Sequence, residues 1–213
     1  CHEIVLPEGL TYVGAQAFDN CDQNSGYGSS PEGIWYTHNI PGISLPSTLK
    51  HIGDKAFAGC PIRQELYFPT DLEYLGDAAF ESCTRIIGEL RLPPTLTNIG
   101  RKCFYENIGI KGNLDIPASV TELGIGAFAR TGFTTLTLHE GLRTIRAAAL
   151  SGLQVLYDTQ LNEYTFDDIY PFDNDLVIPS TVTVIERYAF AKTGFKHVYL
   201  PDNFEEIPVG IFY

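Results

Sequence analysis

One pattern governs this chain: apolar-x-apolar-Pro, then x-x-apolar, x-x-apolar-Gly and x-x-Ala-Phe, recurring eight times. The proline column holds Pro7, Pro46, Pro69, Pro93, Pro117, Pro179 and Pro201, with His139 in its place once. Successive members lie 22 to 24 residues apart, except for two steps of 39 and 40. A unit this short cannot bury its own apolar face. Neighbouring units must stack, so the period predicts an elongated solenoid with a core continuous along its axis.

Aligned on the proline, the coils show which residues face inward. Three and one residues before it stand Ile4/Leu6, Ile43/Leu45, Leu66/Phe68, Leu90/Leu92, Leu114/Ile116, Leu136/Leu138, Leu176/Ile178 and Val198/Leu200. A spacing of two puts both on one face of a short strand. The proline then stops that strand, having no N–H for the next ladder bond. Further apolar columns run from Leu10 and from Val13 and form the second inward side of the coil. Gly14, Gly53, Gly76, Gly100 and Gly124 follow, replaced by Arg146, Glu186 and Pro208, so the turn favours Gly without requiring it. Small-plus-aromatic pairs such as Ala56-Phe57, Ala79-Phe80 and Cys103-Phe104 then predict a spine of stacked rings.

The stretches LPSTLKHIGDKAFAGC, LPPTLTNIGRKCFYEN and IPASVTELGIGAFART resemble the BspA-like leucine-rich repeats of bacterial surface proteins, and the likeness covers nearly the whole chain. It implies a β-rich solenoid, a right-handed leucine-rich-repeat coil of about eight 22–24-residue repeats with a parallel sheet on its concave side. It also implies an exported or surface-attached protein that engages host or neighbouring-cell proteins. Residues 1–213 read as a single, monomeric repeat domain with insertions at 22–39 and 157–175. Cys1 enters a coil without a polar cap and Tyr213 stops midway through one, so the expectation is a mature or truncated chain whose targeting segment has been removed.

Charge narrows the partners. A formal net charge of −12 with only 14 Lys+Arg argues against nucleic acid, which needs clustered basic side chains to displace counterions. An anionic membrane surface is disfavoured for the same reason. No apolar run reaches the roughly 18 residues of a membrane-spanning helix.

The motifs that look like chemistry dissolve into the repeat. GIGAFA, with Gly124, Gly126 and Ala129, matches a dinucleotide fingerprint by letter, but its residues belong to repeat columns and no βαβ unit surrounds it. His2, His38, His51, His139 and His197 are scattered over different coils with no Ser or Cys at a recognisable spacing, so no catalytic residue, cofactor or metal is assigned. The acids of DDIYPFDND lack the EF-hand spacing. Coils of this length also build the parallel β-helices of polysaccharide-active enzymes, but the proline stop and Ala-Phe spine fit the leucine-rich class better. Cys21, Cys60 and Cys83 share one column, with Asn107, Thr131, Leu153 and Thr193 elsewhere. Cys60 and Cys83 are within bridging reach, but an odd count of five and the regular column favour free thiols at a position wanting a small apolar group.

Binding chemistry is expected on strand residues facing away from the core. Glu65, Tyr67, Glu89, Arg91, Asn113 and Asp115 would form a mixed acidic-aromatic patch over coils three to five. The insertions add Trp35 and Tyr36 in the first and Tyr164 and Tyr170 in the second. Both enter just before the concave strand and so project from one edge, about 24 Å apart at strand spacing, flanking the concave sheet face as the expected binding surface. A protein partner is the leading expectation, since Tyr and Arg anchor protein interfaces. Exposed aromatics and carboxylates also suit a glycan, and a passive spacer would bind nothing.

Overall fold

The computed structural model describes residues 4–21, 42–152, 155–158, 163–166, 171–204 and 207–212. Each coil turns at its proline because the carbonyl there accepts the N–H three residues on. Leu49 N donates to Pro46 O at 3.1 Å and Leu96 N to Pro93 O at 3.0 Å. His139 makes the same turn through Leu142 N at 3.4 Å. The chain then crosses back into a two-residue strand with one buried and one outward residue. Seven of these, Tyr12–Val13, His51–Ile52, Tyr74–Leu75, Asn98–Ile99, Glu122–Leu123, Thr144–Ile145 and Val184–Ile185, pair in coil order as one parallel sheet.

The strands before the proline are also parallel, but they pair in shorter ladders. Ile4–Val5 pairs with Ile43–Ser44, Asn113–Asp115 with Thr135–Thr137, and Leu176–Val177 with Val198–Tyr199. Tyr67 and Arg91 form an isolated bridge. Gly88–Glu89 pairs instead with Ile110–Lys111, two residues ahead of the column register. Gly112, at φ 83°, then turns the chain back into register for Asn113. A coil of 24 residues therefore takes up its extra length before the strand, and the ladder breaks there. The architecture is the expected parallel-sheet β-solenoid, with its continuous sheet after the proline. No helix occurs among the described residues.

The ring spine is present. Phe18, Phe57, Phe80, Phe104 and Phe128 stack with centroids 5.2 to 5.6 Å apart and planes within 14° of parallel. Leu150 interrupts the column, and Phe190 and Phe212 resume it at 5.6 Å. One apolar cluster runs from Ile4 to Ile211.

The glycine column has a different cause from the expected turn. Gly100 is not left-handed; a Cβ there would lie 2.5 Å from Asp77 N, so the backbones of adjacent coils demand the missing side chain. The left-handed residue comes two positions later: Gln16, Lys55, Ala78, Lys102, Gly126, Ala148, Tyr188 and Gly210 all have φ between 54° and 74°. Where Arg146 and Glu186 replace the column glycine, they pair with each other at 2.8 Å, and Arg146 also reaches Glu122 at 2.8 Å.

The cysteine column also serves a purpose that its apolar reading misses. Cys60 Sγ donates to Phe18 O at 3.0 Å and Cys83 Sγ to Phe57 O at 2.9 Å. In the next coil Asn107 Nδ2 donates to Phe80 O at 2.7 Å. Thr131 and Thr193 turn their hydroxyls to Phe128 O and Phe190 O within their own coils, at 2.8 and 2.7 Å. The position selects a short donor that satisfies the carbonyl of the spine phenylalanine. Cys21, Cys60, Cys83 and Cys103 are free thiols. Burial pushes the Cys83 thiol up to about 12 and that of Cys103 well above its usual value.

Candidate functional site

The strand pleat sends the residue two before the proline outward in every coil. Val5, Ser44, Tyr67, Arg91, Asp115, Thr137, Val177 and Tyr199 are all exposed, while their strand neighbours Ile4, Leu90, Leu114 and Leu176 are buried. These side chains differ in chemistry because nothing in the core constrains them.

Over coils three to six the outward residues are tied together in two ways. Within a strand, Tyr67 Oη donates to Glu65 Oε2, and this bond raises the Tyr67 pKa. Arg91 Nη2 donates to Glu89 Oε2 at 3.2 Å, and the Arg91 side chain is 82% exposed, so its other donors meet solvent. Across coils, Asn113 Oδ1 accepts from Thr135 Oγ1 at 2.8 Å and Thr137 Oγ1 at 3.3 Å. Asp115 Oδ1 and His139 Nε2 lie 2.6 Å apart.

Glu89, Arg91, Asn113 and Asp115 line one open depression of about 450 Å³. His139 and Ser119 complete its polar rim, and Pro94, Pro117 and Ala118 supply apolar wall. Glu65 and Tyr67 stand one coil to the side and do not line it. His139 is the site residue that column reasoning misses, because it reads as a mere repeat position. A histidine where every other coil has proline marks a side chain freed for other use. A second pair, Asp175 Oδ1 and His197 Nδ1 at 2.8 Å, lies on coils seven and eight beside Tyr199.

Of the insertion residues, Tyr164 falls in the strand Glu163–Phe166, which pairs antiparallel with Val155–Asp158 and sets Tyr164 opposite Tyr157. Trp35, Tyr36 and Tyr170 lie outside the described residues. Both oversized steps are crossed by one device at the proline turn. Glu8 accepts from Ser47 N at 3.2 Å and Ser47 Oγ at 2.9 Å, while Gly9 N donates to Thr48 Oγ1 at 3.0 Å. Glu140 accepts from Ser180 N at 3.0 Å and from Thr181 N at 3.1 Å, while Gly141 N donates to Thr181 Oγ1 at 3.0 Å. The Ser180 and Thr181 donors hold the Glu140 carboxyl below its ordinary pKa. The two coils flanking each insertion therefore stay stacked as if nothing intervened.

Among the described residues no group of three or more His, Cys, Asp or Glu side chains converges to hold a metal, and no helix is long and apolar enough to cross a membrane.

A family profile described as "BspA type Leucine rich repeat region" matches residues 1–26, 29–156 and 159–213 in six copies, against the eight coils counted along the columns. No curated protein matches the chain. Among solved structures, it is similar to a leucine rich repeat protein of T. pallidum, with TM-score 0.52 and 20% identity over 94% of this chain and 78% of that one. It is also similar to a leucine rich cell surface protein of Faecalibacterium prausnitzii, with TM-score 0.47 and 16% identity over 98% of this chain. The chain spans 56% of the length of that protein.

Proposed function

The chain belongs to the BspA-type leucine-rich-repeat family, and from that premise we propose that it is a protein-binding, non-enzymatic repeat domain of an exported or cell-surface protein, adhesin-like in its use. The binding surface is the outward face of the pre-proline strands together with the edge that carries the insertions. Its partner is a surface protein of a host or neighbouring cell.

The observation that carries the reading is the open depression over coils four to six, which Glu89, Arg91, Asn113, Asp115 and His139 line together. Tyr67 and Arg91, bridged through their backbones, set an aromatic and a guanidinium side by side at its border. Such side chains dominate the energy of protein interfaces when a partner covers them. Because all are outward on a buried framework, changing them leaves the stack intact.

The test is binding of the purified domain to surface proteins on intact cells, comparing the native chain with the triple variant Tyr67→Ala, Arg91→Ala, Asp115→Ala. Binding should be lost with an unchanged melting temperature. Equal binding by both would sink the proposal. A glycan ligand is the second reading, favoured by the side-by-side amide, carboxylate and imidazole of Asn113, Asp115 and His139, which suit sugar hydroxyls. A glycan array separates the two, and silence in both assays identifies a spacer.

A further inference from the structure

Two thiols sit together where the first insertion leaves the solenoid. Cys21 and Cys60 hold the same column position on adjacent coils, and Cys21 is the last described residue before residues 22–41. The backbones around them are in register: Phe18 N donates to Ala56 O at 2.8 Å and Asn20 N to Ala58 O at 2.7 Å. Coils bonded in this way lie about 4.8 Å apart, inside the roughly 4.4–6.8 Å between Cα atoms that a disulfide spans. Cys60 Sγ points toward coil one, donating at 3.0 Å to Phe18 O, the same carbonyl that accepts Cys21 N at 3.2 Å.

The two thiols differ in access. Cys21 is half-buried, whereas Cys60 and Cys83 are fully buried. Cys83 lies on the far side of Cys60, one coil further from Cys21, with its own thiol on Phe57 O at 2.9 Å. An oxidant from solvent therefore meets Cys21 first, and Cys60 is the thiol beside it.

We propose that Cys21 and Cys60 form an oxidisable pair whose disulfide fastens the root of the first insertion to the second coil. The oxidant is a small-molecule disulfide. The Cys21 thiolate attacks one of its sulfurs, forming a mixed disulfide and releasing one thiolate. The Cys60 thiol, giving up its proton and its bond to Phe18 O, attacks the Cys21 sulfur and expels the second. Two protein thiols are oxidised, and one external disulfide is reduced to two thiols. The bridge encloses residues 22–59, which include the whole first insertion, and so restricts the unfolded chain.

The experiment incubates the full chain with oxidised or reduced glutathione, alkylates the denatured protein, and maps linked peptides by mass spectrometry without reduction. Oxidation should remove two thiols per chain, yield a Cys21–Cys60 linked peptide, and raise the melting temperature by several degrees. Cys21→Ser and Cys60→Ser should each abolish the linked peptide and the shift; serine at 60 retains a donor for Phe18 O. Cys83→Ser should keep both. A Cys60–Cys83 linkage, a Cys21-linked dimer, full thiol retention or an unshifted melting temperature would each overturn the proposal.

Discussion

The carboxamide of Asn174 pairs with Leu136 as a strand backbone would: Leu136 N donates to Asn174 Oδ1 at 3.1 Å, and Asn174 Nδ2 donates to Leu136 O at 3.0 Å. The second insertion re-enters the stack at this point. Leu176–Val177 pairs forward with Val198–Tyr199, and one side chain completes the ladder backward. Asn174→Ala should therefore cost about 1–3 kcal/mol, the range for stranded polar groups. Urea unfolding measures the loss, and amide exchange at Leu136 should accelerate more than at Leu114.

Two glycines should rank against conformational intuition. Gly126 is left-handed at φ 62°, yet a Cβ there meets nothing nearer than Lys102 Cγ at 3.6 Å. Ala148 occupies the equivalent place at φ 54°. Gly126→Ala should cost about 1 kcal/mol, the usual left-handed penalty. Gly100→Ala, with ordinary φ, drives a Cβ to 2.5 Å from Asp77 N and must push adjacent coils apart. Its cost should reach about 1–3 kcal/mol, as for overpacking. Paired denaturation curves decide the order.

Asn107 satisfies Phe80 O but leaves its own Oδ1 buried without a partner. Cysteine at that column, as at Cys83, supplies the donor and no orphaned acceptor. Asn107→Cys should raise stability by about 1 kcal/mol, whereas Asn107→Leu should not, since Phe80 O then loses its 2.7 Å bond. Thermal melting under reducing conditions compares the two.

Glu186 accepts from Arg146 Nη1 and Ala147 N, each at 2.8 Å, and the Arg146 bond is the first cause of its lowered pKa. The sign follows directly. A carboxyl depressed in the folded state adds stability that is present above its ordinary value of 4.5 and lost as pH falls through the folded one. Glu186→Gln should flatten the acid limb of a stability–pH curve, visible as a smaller drop in urea midpoint below pH 4.5.

The stack was legible because a solenoid writes its core as columns: Phe57 and Phe80 had to superpose once their coils did. The outward residues were legible by elimination, so Arg91 and Asp115 could be named as facing away from the core. What they form there could not be read, since it depends on which side chains meet across coils, as His139 meets Asp115. The donor column was misread as apolar because three of its members are cysteine; the recurrence of Asn and Thr beside them was the telling signal. Asn174 lies in a segment without period, so no column announced its role.

The Glu-Gly and Ser-Thr contacts at Glu8/Ser47 and Glu140/Ser180 are a splice junction written into the repeat. They hold the neighbouring turns together across a step of any length, so chain of different length and composition can be grafted between them while the stack keeps its register. Diversification of the rim is thereby uncoupled from the economy of the interior, and a new loop need satisfy only its own ends.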